Sequence, residues 1–216
     1  MFITLEGPEG GGKTTHIESL ARFLKQQGYK VCSTCEPGGT SISDQIRDVL
    51  KNKSNTSMHP RTEILLFCAA RAQLVEEVIR PALDDGMLVL SDRYADSTLA
   101  YQGYGHNMDL DTLRQLLNFA TGNRWPDLTL LLDIDVEQGL QRKIVQADDW
   151  NRFEEYQLEF HRRVRAGYLA LAQQEPQRWR VIDASQTWDT VQQNLQEEVT
   201  GFLEKFPQKN GGKSSA

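Results

Sequence analysis

The amino-acid sequence predicts an α/β fold, a five-stranded parallel sheet flanked by helices on both faces. Two observations carry this expectation. Short β-like apolar runs alternate with helical patterns along the chain, and such alternation buries strands between layers of helices. A glycine-rich loop also joins the first run to the first helical pattern, the setting in which a phosphate-binding loop is found. With 216 residues the chain sustains one full-sized domain and its core, assigned to 1–206. Residues 207–216, rich in Lys, Gly, Asn and Ser without apolar periodicity, are expected to form a disordered tail.

The strands are predicted at 2–5, 29–33, 87–91, 128–134 and 179–182. The first helix places Ile17, Leu20, Ala21 and Leu24 at i, i+3, i+4 and i+7, and stops at Gly28, where a left-handed C-terminal residue is needed. From 62 to 84 a longer helical pattern is apolar on several sides (Ile64, Leu65, Leu66, Phe67, Leu74, Val75, Val78, Ile79). Such a helix is either fully buried or turns one stripe toward a partner subunit.

Composition removes several classes of function. The 24 Lys+Arg residues stand against 30 Asp+Glu, a net charge of −6, which disfavours a long polyanion such as nucleic acid as partner. No segment approaches the roughly 20 apolar residues of a membrane span, and the first strand starts too early to leave room for a signal peptide, so a cytoplasmic protein is expected. The three cysteines, Cys32, Cys35 and Cys68, do not make a disulfide framework. Cys32 and Cys35 have the spacing of a redox pair or half a zinc site. The other thiol lies far along the chain and no histidine has finger-like spacing, so ordinary thiols are expected.

Gly7, Pro8, Glu9, Gly10, Gly11, Gly12, Lys13 and Thr14 match the pattern GxxxxGK[ST]. The glycines let consecutive backbone N–H groups turn toward phosphate oxygens, Lys13 reaches the outer phosphates, and the Thr14 hydroxyl can ligate Mg²⁺ at a helix N-terminus. A nucleoside triphosphate ligand follows. A guanine-reading switch would carry Asn-Lys-x-Asp late in the sheet, whereas Asn52-Lys53-Ser54-Asn55 ends in the wrong residue and comes too early.

Open α/β sheets bind ligands at the C-terminal ends of their strands. There the sequence supplies Glu36-Pro37-Gly38-Gly39-Thr40, then Asp92-Arg93-Tyr94, then Asp133. Asp92 is placed for the Mg²⁺ shell and Arg93 to clamp a phosphate that receives a transferred group. Phe67 and Arg71 share a helical face at i and i+4, so the ring can stack on a base while the guanidinium donates to a base carbonyl. Thr98, Tyr101 and Gln102 repeat the i, i+3, i+4 relation. Glu9 is a carboxylate among phosphates and must meet a hydroxyl, a water or a cation. Glu6, ending the first strand, is expected near the metal and the acceptor phosphate, and either acid has a solvated loop position as its alternative.

The chain resembles thymidylate kinases along nearly its whole length. The resemblance rests on 7–15 (Gly7 through Thr15), on Glu36-Pro37-Gly38-Gly39-Thr40 and on Phe67-Cys68-Ala69-Ala70-Arg71. It continues through Asp92-Arg93-Tyr94, Ser97-Thr98 with Ala100-Tyr101-Gln102-Gly103, and 126–133 (Pro126 through Asp133). It implies the P-loop nucleoside monophosphate kinase fold, a homodimer through the 62–84 helix, and the reaction ATP + dTMP → ADP + dTDP with Mg²⁺. It assigns Glu36, Arg47, Phe67, Arg71, Arg93, Thr98, Tyr101 and Gln102 to dTMP, with Tyr101 crowding the 2′ carbon of the sugar. It assigns the phosphate loop through Thr15 to ATP, with Arg142 flat against adenine and Asp183-Ala184-Ser185 on the base's other side.

The chain departs from the family pattern in its lid, expected at 142–153. A glycine-rich phosphate loop calls for arginines there, but the segment holds Ile144 and Gln146 where others would stand. The cation reaching the transferred group is expected to be Arg152, then Arg142, then Lys143, in that order. Two other readings predict different behaviour: a kinase for another nucleotide or nucleoside, and a nucleotide-switched binding module that hydrolyses ATP with no acceptor dependence.

Overall fold

The computed structural model describes residues 1–146 and 157–206. Five parallel strands, β1 (Phe2–Glu6), β2 (Val31–Cys35), β3 (Leu88–Asp92), β4 (Leu128–Asp133) and β5 (Trp179–Asp183), stand in the order β2-β3-β1-β4-β5. Every residue of β1 and β3 is buried, as expected of central parallel strands covered on both faces. Side chains alternate between two cores. Phe2, Val89 and Leu131 face one with Leu74, Ile79, Leu113 and Tyr168, while Ile3, Leu5 and Leu130 face the other with Ile17, Leu20, Leu24 and Leu195.

The helices are α1 (Lys13–Gln26), α2 (Ser41–Lys51), α3 (Pro60–Leu74), α4 (Arg80–Asp84), α5 (Ala95–Thr98), α6 (Leu110–Thr121), α7 (Val136–Gln146), α8 (Leu158–Gln174) and α9 (Trp188–Lys205). Local chemistry sets several starts. Thr40, Asp109 and Thr187 each accept from a backbone N–H three residues on, at the heads of α2, α6 and α9.

Some boundaries shift. The second strand runs from Val31 to Cys35 rather than over 29–33, so Cys32 and Cys35 fall on opposite faces, and all three thiols are free. The helix expected over 62–84 begins at Pro60 and passes through a wider π-helical stretch, Val75–Ile79, before α4. Pro81 supplies the reason: it has no N–H to offer the carbonyl of Glu77, and its ring crowds that carbonyl, so the preceding turn widens. Leu65 on α3 is 58% exposed, so this helix is not wholly enclosed by its own chain. The tail expected at 207–216 lies outside the described residues.

Beside the start of β5, Asp96 on α5 is fully buried against Arg178. Arg178 donates to both carboxylate oxygens, at 2.7 and 3.1 Å, and to Thr129 Oγ1 at 2.8 Å, and its guanidinium lies over the rings of Trp125 and Trp179. Removing one member of such a pair leaves the other charge buried and unanswered. Asp96→Ala is therefore expected to cost about 3–5 kcal/mol of stability, read as a lower urea midpoint with an unchanged slope.

Candidate functional site

A cavity of about 320 Å³ opens at the C-terminal ends of β1, β2 and β3, between the phosphate loop, α3 and the segment after β3. The loop earns its shape from backbone that side chains resist: Gly7, Gly10 and Gly12 have φ of 142°, 76° and 79°. Gly10 also meets Gly139 of α7 so closely that a Cβ on it would fall 2.0 Å from the Gly139 carbonyl oxygen, and a Cβ on Gly139 would fall 2.2 Å from the Glu9 carbonyl oxygen. Gly139 was not among the residues singled out from sequence. Its signal was a glycine in the interior of a helical pattern, which usually marks a close packing contact.

Lys13 lies at the base of the loop and donates to the carbonyls of Gly7 and Pro8 at 3.1 and 2.8 Å. Burial lowers its pKa to about 8, with the Arg93 charge adding to the effect and Glu9 and Asp92 opposing it. Thr14 Oγ1 donates to Asp92 Oδ2 at 2.6 Å, and Thr15 Oγ1 to the Gly12 carbonyl. All three of these side chains line the cavity.

Arg93, held at φ 70°, reaches back across the site. Its Nη1 donates to the Gly7 carbonyl, Ser97 Oγ and Tyr168 OH, and its Nη2 to Glu9 Oε1 at 2.6 Å and Tyr101 OH at 3.1 Å. Tyr101 OH donates to the same Glu9 oxygen at 2.7 Å. Burial alone would raise the Glu9 pKa, but Arg93, Lys13 and the Tyr101 hydroxyl override it and hold the carboxyl at about 2. Glu9 has a cation and a hydroxyl for partners.

Glu6 differs. It does not line the cavity: its oxygens accept from the Tyr94 N–H, Ser97 Oγ and Tyr168 OH within the interior. Burial and the nearby Asp96 raise it to about 7, against the pull of Arg93. Its position supports Arg93 through Ser97 and Tyr168, two residues with roles that the strand-end pattern did not reveal because Tyr168 arrives from α8.

At the far end of the cavity stand Arg47, Phe67, Arg71, Thr98 and Gln102 with Tyr101. Arg71 is buried and donates to Glu36 Oε2 from Nε at 2.8 Å, with Nη2 at 2.6 Å from the same oxygen. It also donates from Nη1 to Thr98 Oγ1 and from Nη2 to the Tyr94 carbonyl. Gln102 donates to Glu63. Arg47 donates to the Pro37 carbonyl at the cavity wall.

Arg142, Asp133 and Asp183 do not line this cavity. Arg142 donates to the carbonyls of Ala184 and Ser185 at 2.9 and 3.3 Å, beside Asp183, on the outer flank of the sheet. Asp133 is held by Arg165 in a two-bond clamp and does not line the cavity. Of the three lid cations, Lys143 lines the cavity, Arg142 does not, and Arg152 lies outside the described residues together with 147–153.

A family profile described as Thymidylate kinase matches residues 5–195. Among curated relatives, the thymidylate kinase of Roseiflexus castenholzii is 48% identical with 96% of each chain covered. That of Thermomicrobium roseum is 50% identical over 94% of this chain and 96% of its own. The crystal structure of thymidylate kinase from Ehrlichia chaffeensis is similar with a TM-score of 0.75 at 32% identity, covering 93% of this chain and 98% of that one.

Glu6 yields a testable pH dependence. The folded chain keeps the Glu6 proton up to about pH 7, whereas an unfolded glutamate loses it near 4.5. Between those values the folded state binds more protons, so this group makes stability fall as pH rises from about 4.5 to about 7. Glu9 acts in the opposite sense, and only below 4.5. Thermal melts of Glu6→Gln and the parent are expected to show the variant losing that part of the decline, and the difference between the two curves isolates the Glu6 contribution.

Proposed function

Because the chain belongs to the thymidylate kinase family, we propose that this cavity is where the γ-phosphoryl group of ATP passes to the phosphate of dTMP, giving ADP and dTDP. One observation carries the reading: a phosphate-loop lysine and hydroxyl, the buried Arg71 and the half-buried Arg93 line a single cavity. Phosphoryl transfer needs little covalent help from protein. It needs two anions aligned and their charge neutralised.

At the donor end, Gly7 to Thr15 cradle the ATP phosphates. Lys13 Nζ carries three hydrogens; two are directed to the Gly7 and Pro8 carbonyls, and a third is available to a phosphate oxygen. Lys143, on the same cavity, is the described lid residue placed to add positive charge, and Arg142 with Asp183 to Ser185 forms the flank for adenine. At the acceptor end, Arg93 and Arg47 hold the dTMP phosphate. Phe67 stacks on the base, and Arg71, held by Glu36, Thr98 and Tyr94, offers its remaining N–H to a base carbonyl. Glu9 stays ionised at neutral pH, so it exchanges no proton there and instead fixes Arg93 and the Tyr101 ring beside the sugar.

Thr14 Oγ1 and Asp92 Oδ2, 2.6 Å apart on the cavity wall, are hard oxygen donors that suit Mg²⁺, an ion that takes its other ligands from water and phosphate. When bound, it neutralises phosphate charge. Dimerisation through the 62–84 helix is part of the proposal, supported by exposed Leu65 on α3 and by Phe119, 90% exposed on the neighbouring α6. The free thiols accord with a reducing, cytoplasmic setting.

Initial rates of ADP formation from Mg·ATP, with dTMP, dUMP, CMP, AMP and thymidine offered singly, test the reading. The rate is expected to depend strongly on dTMP. Equal ADP formation with every acceptor, or with none, would replace it by slow ATP hydrolysis in a binding module. Lys13→Ala is expected to lower kcat by roughly 10²-fold or more in the same assay.

A further inference from the structure

We infer that Glu63 sets which pyrimidine the site accepts, by fixing the side-chain amide of Gln102 with its oxygen toward the cavity. The inference rests on the reading of the cavity as a dTMP site and adds a positioning residue to it. Glu63, in the first turn of α3, is 1% exposed and does not line the cavity; Gln102, 2% exposed, does. Their contact is Gln102 Nε2 to Glu63 Oε1 at 2.6 Å.

A carboxylate only accepts hydrogen bonds, so an amide packed against it must turn its NH₂ that way. The reversed amide would set two acceptor oxygens against each other in a buried place, leaving both unanswered. A ring nitrogen of His106 stands 3.9 Å from the same Glu63 oxygen, a second nitrogen group gathered on one acceptor. With the NH₂ committed, Gln102 Oε1 accepts from none of the described residues and is the atom left for a ligand.

The same count applies to Arg71. Nε and Nη2 are committed to Glu36 and the Tyr94 carbonyl, and Nη1 spends one hydrogen on Thr98, leaving one. Thr98 thus has an N–H donor from Arg71 on it and the Gln102 acceptor one turn further along. One donor beside one acceptor complements the C4 carbonyl and N3–H edge shared by thymine and uracil. Cytosine presents an amino group and a bare ring nitrogen there, opposite in both positions. Glu63 enforces the acceptor half of this pattern without touching the base.

The test is Glu63→Gln, which keeps the shape but offers an amide able to donate or accept, so that Gln102 is satisfied either way round. Values of kcat/KM are measured with dTMP, dUMP and dCMP for parent and variant. The dTMP to dCMP ratio is expected to narrow by about tenfold or more, while the dTMP to dUMP ratio, which compares identical edges, stays within about twofold. A uniform loss across all three nucleotides, with both ratios unchanged, would be structural damage and would overturn the inference. A parent that does not prefer dTMP to dCMP would instead remove the function reading on which it rests. If Glu63→Gln does not fold, hydrogen exchange of the Gln102 side-chain amide in the ¹⁵N-labelled parent decides. Protection without nucleotide supports the inference, and protection that appears only with dTMP overturns it.

Discussion

Arg93 ties several separate parts of the chain together through one side chain. Its backbone sits in the left-handed region, a conformation that costs a residue with a side chain about 1–3 kcal/mol, and its own N–H is spent on the Leu5 carbonyl of β1. That geometry throws the guanidinium back over the sheet edge, where it is answered by the phosphate loop, by α5, by the π-helical stretch Leu99–Gly105 and by α8. Its acceptors are spread over four pieces of the fold, with Gly7 and Glu9 both on the phosphate loop. A cation largely withdrawn from water there is tolerable because so many oxygens converge on it, and those oxygens are held in place by the cation. Glu6 extends the arrangement inward: through Ser97 and Tyr168 the last residue of the first strand sets the two hydroxyls that Arg93 uses.

Much of this was legible in the sequence, and the rest was hidden for identifiable reasons. The strands showed as apolar runs because central parallel strands are buried on both faces, and the phosphate loop showed because its glycines answer a backbone requirement. Phe67 with Arg71, and Thr98 with Tyr101 and Gln102, were readable from helical spacing, and both groups meet at one cavity. What spacing could not supply was the second partner of each polar group. Glu63 with Gln102, Asp96 with Arg178 and Tyr168 with Glu6 join residues 39, 82 and 162 positions apart. Glu6, which ends the first strand, was expected near the metal and the acceptor phosphate, whereas its side chain turns into the interior to meet Tyr168. The widened turn before α4 was available in principle from Pro81, but an apolar pattern does not register a missing N–H.

Among the described residues, the two most enclosed ion pairs, Arg71 with Glu36 and Arg178 with Asp96, gain little net stability from their charges, since desolvation consumes most of the attraction. Their value lies in orientation. Glu36 fixes the plane of the Arg71 guanidinium so that one hydrogen is left over, and Arg178 anchors α5, from which Ser97 and Thr98 face the site. Apolar replacements would fill the same space and leave those directions undetermined.

The approach of Gly10 to Gly139 has a mechanical meaning. Two backbones in contact without any side chain between them leave no compressible layer, so the phosphate loop and the first turn of α7 behave as one piece. Beyond Gly139, the same helix brings Lys143 to the cavity that the loop lines. That contact therefore sets a boundary: bending of the later part of α7 can begin only beyond Gly139, and it leaves the phosphate cradle undisturbed.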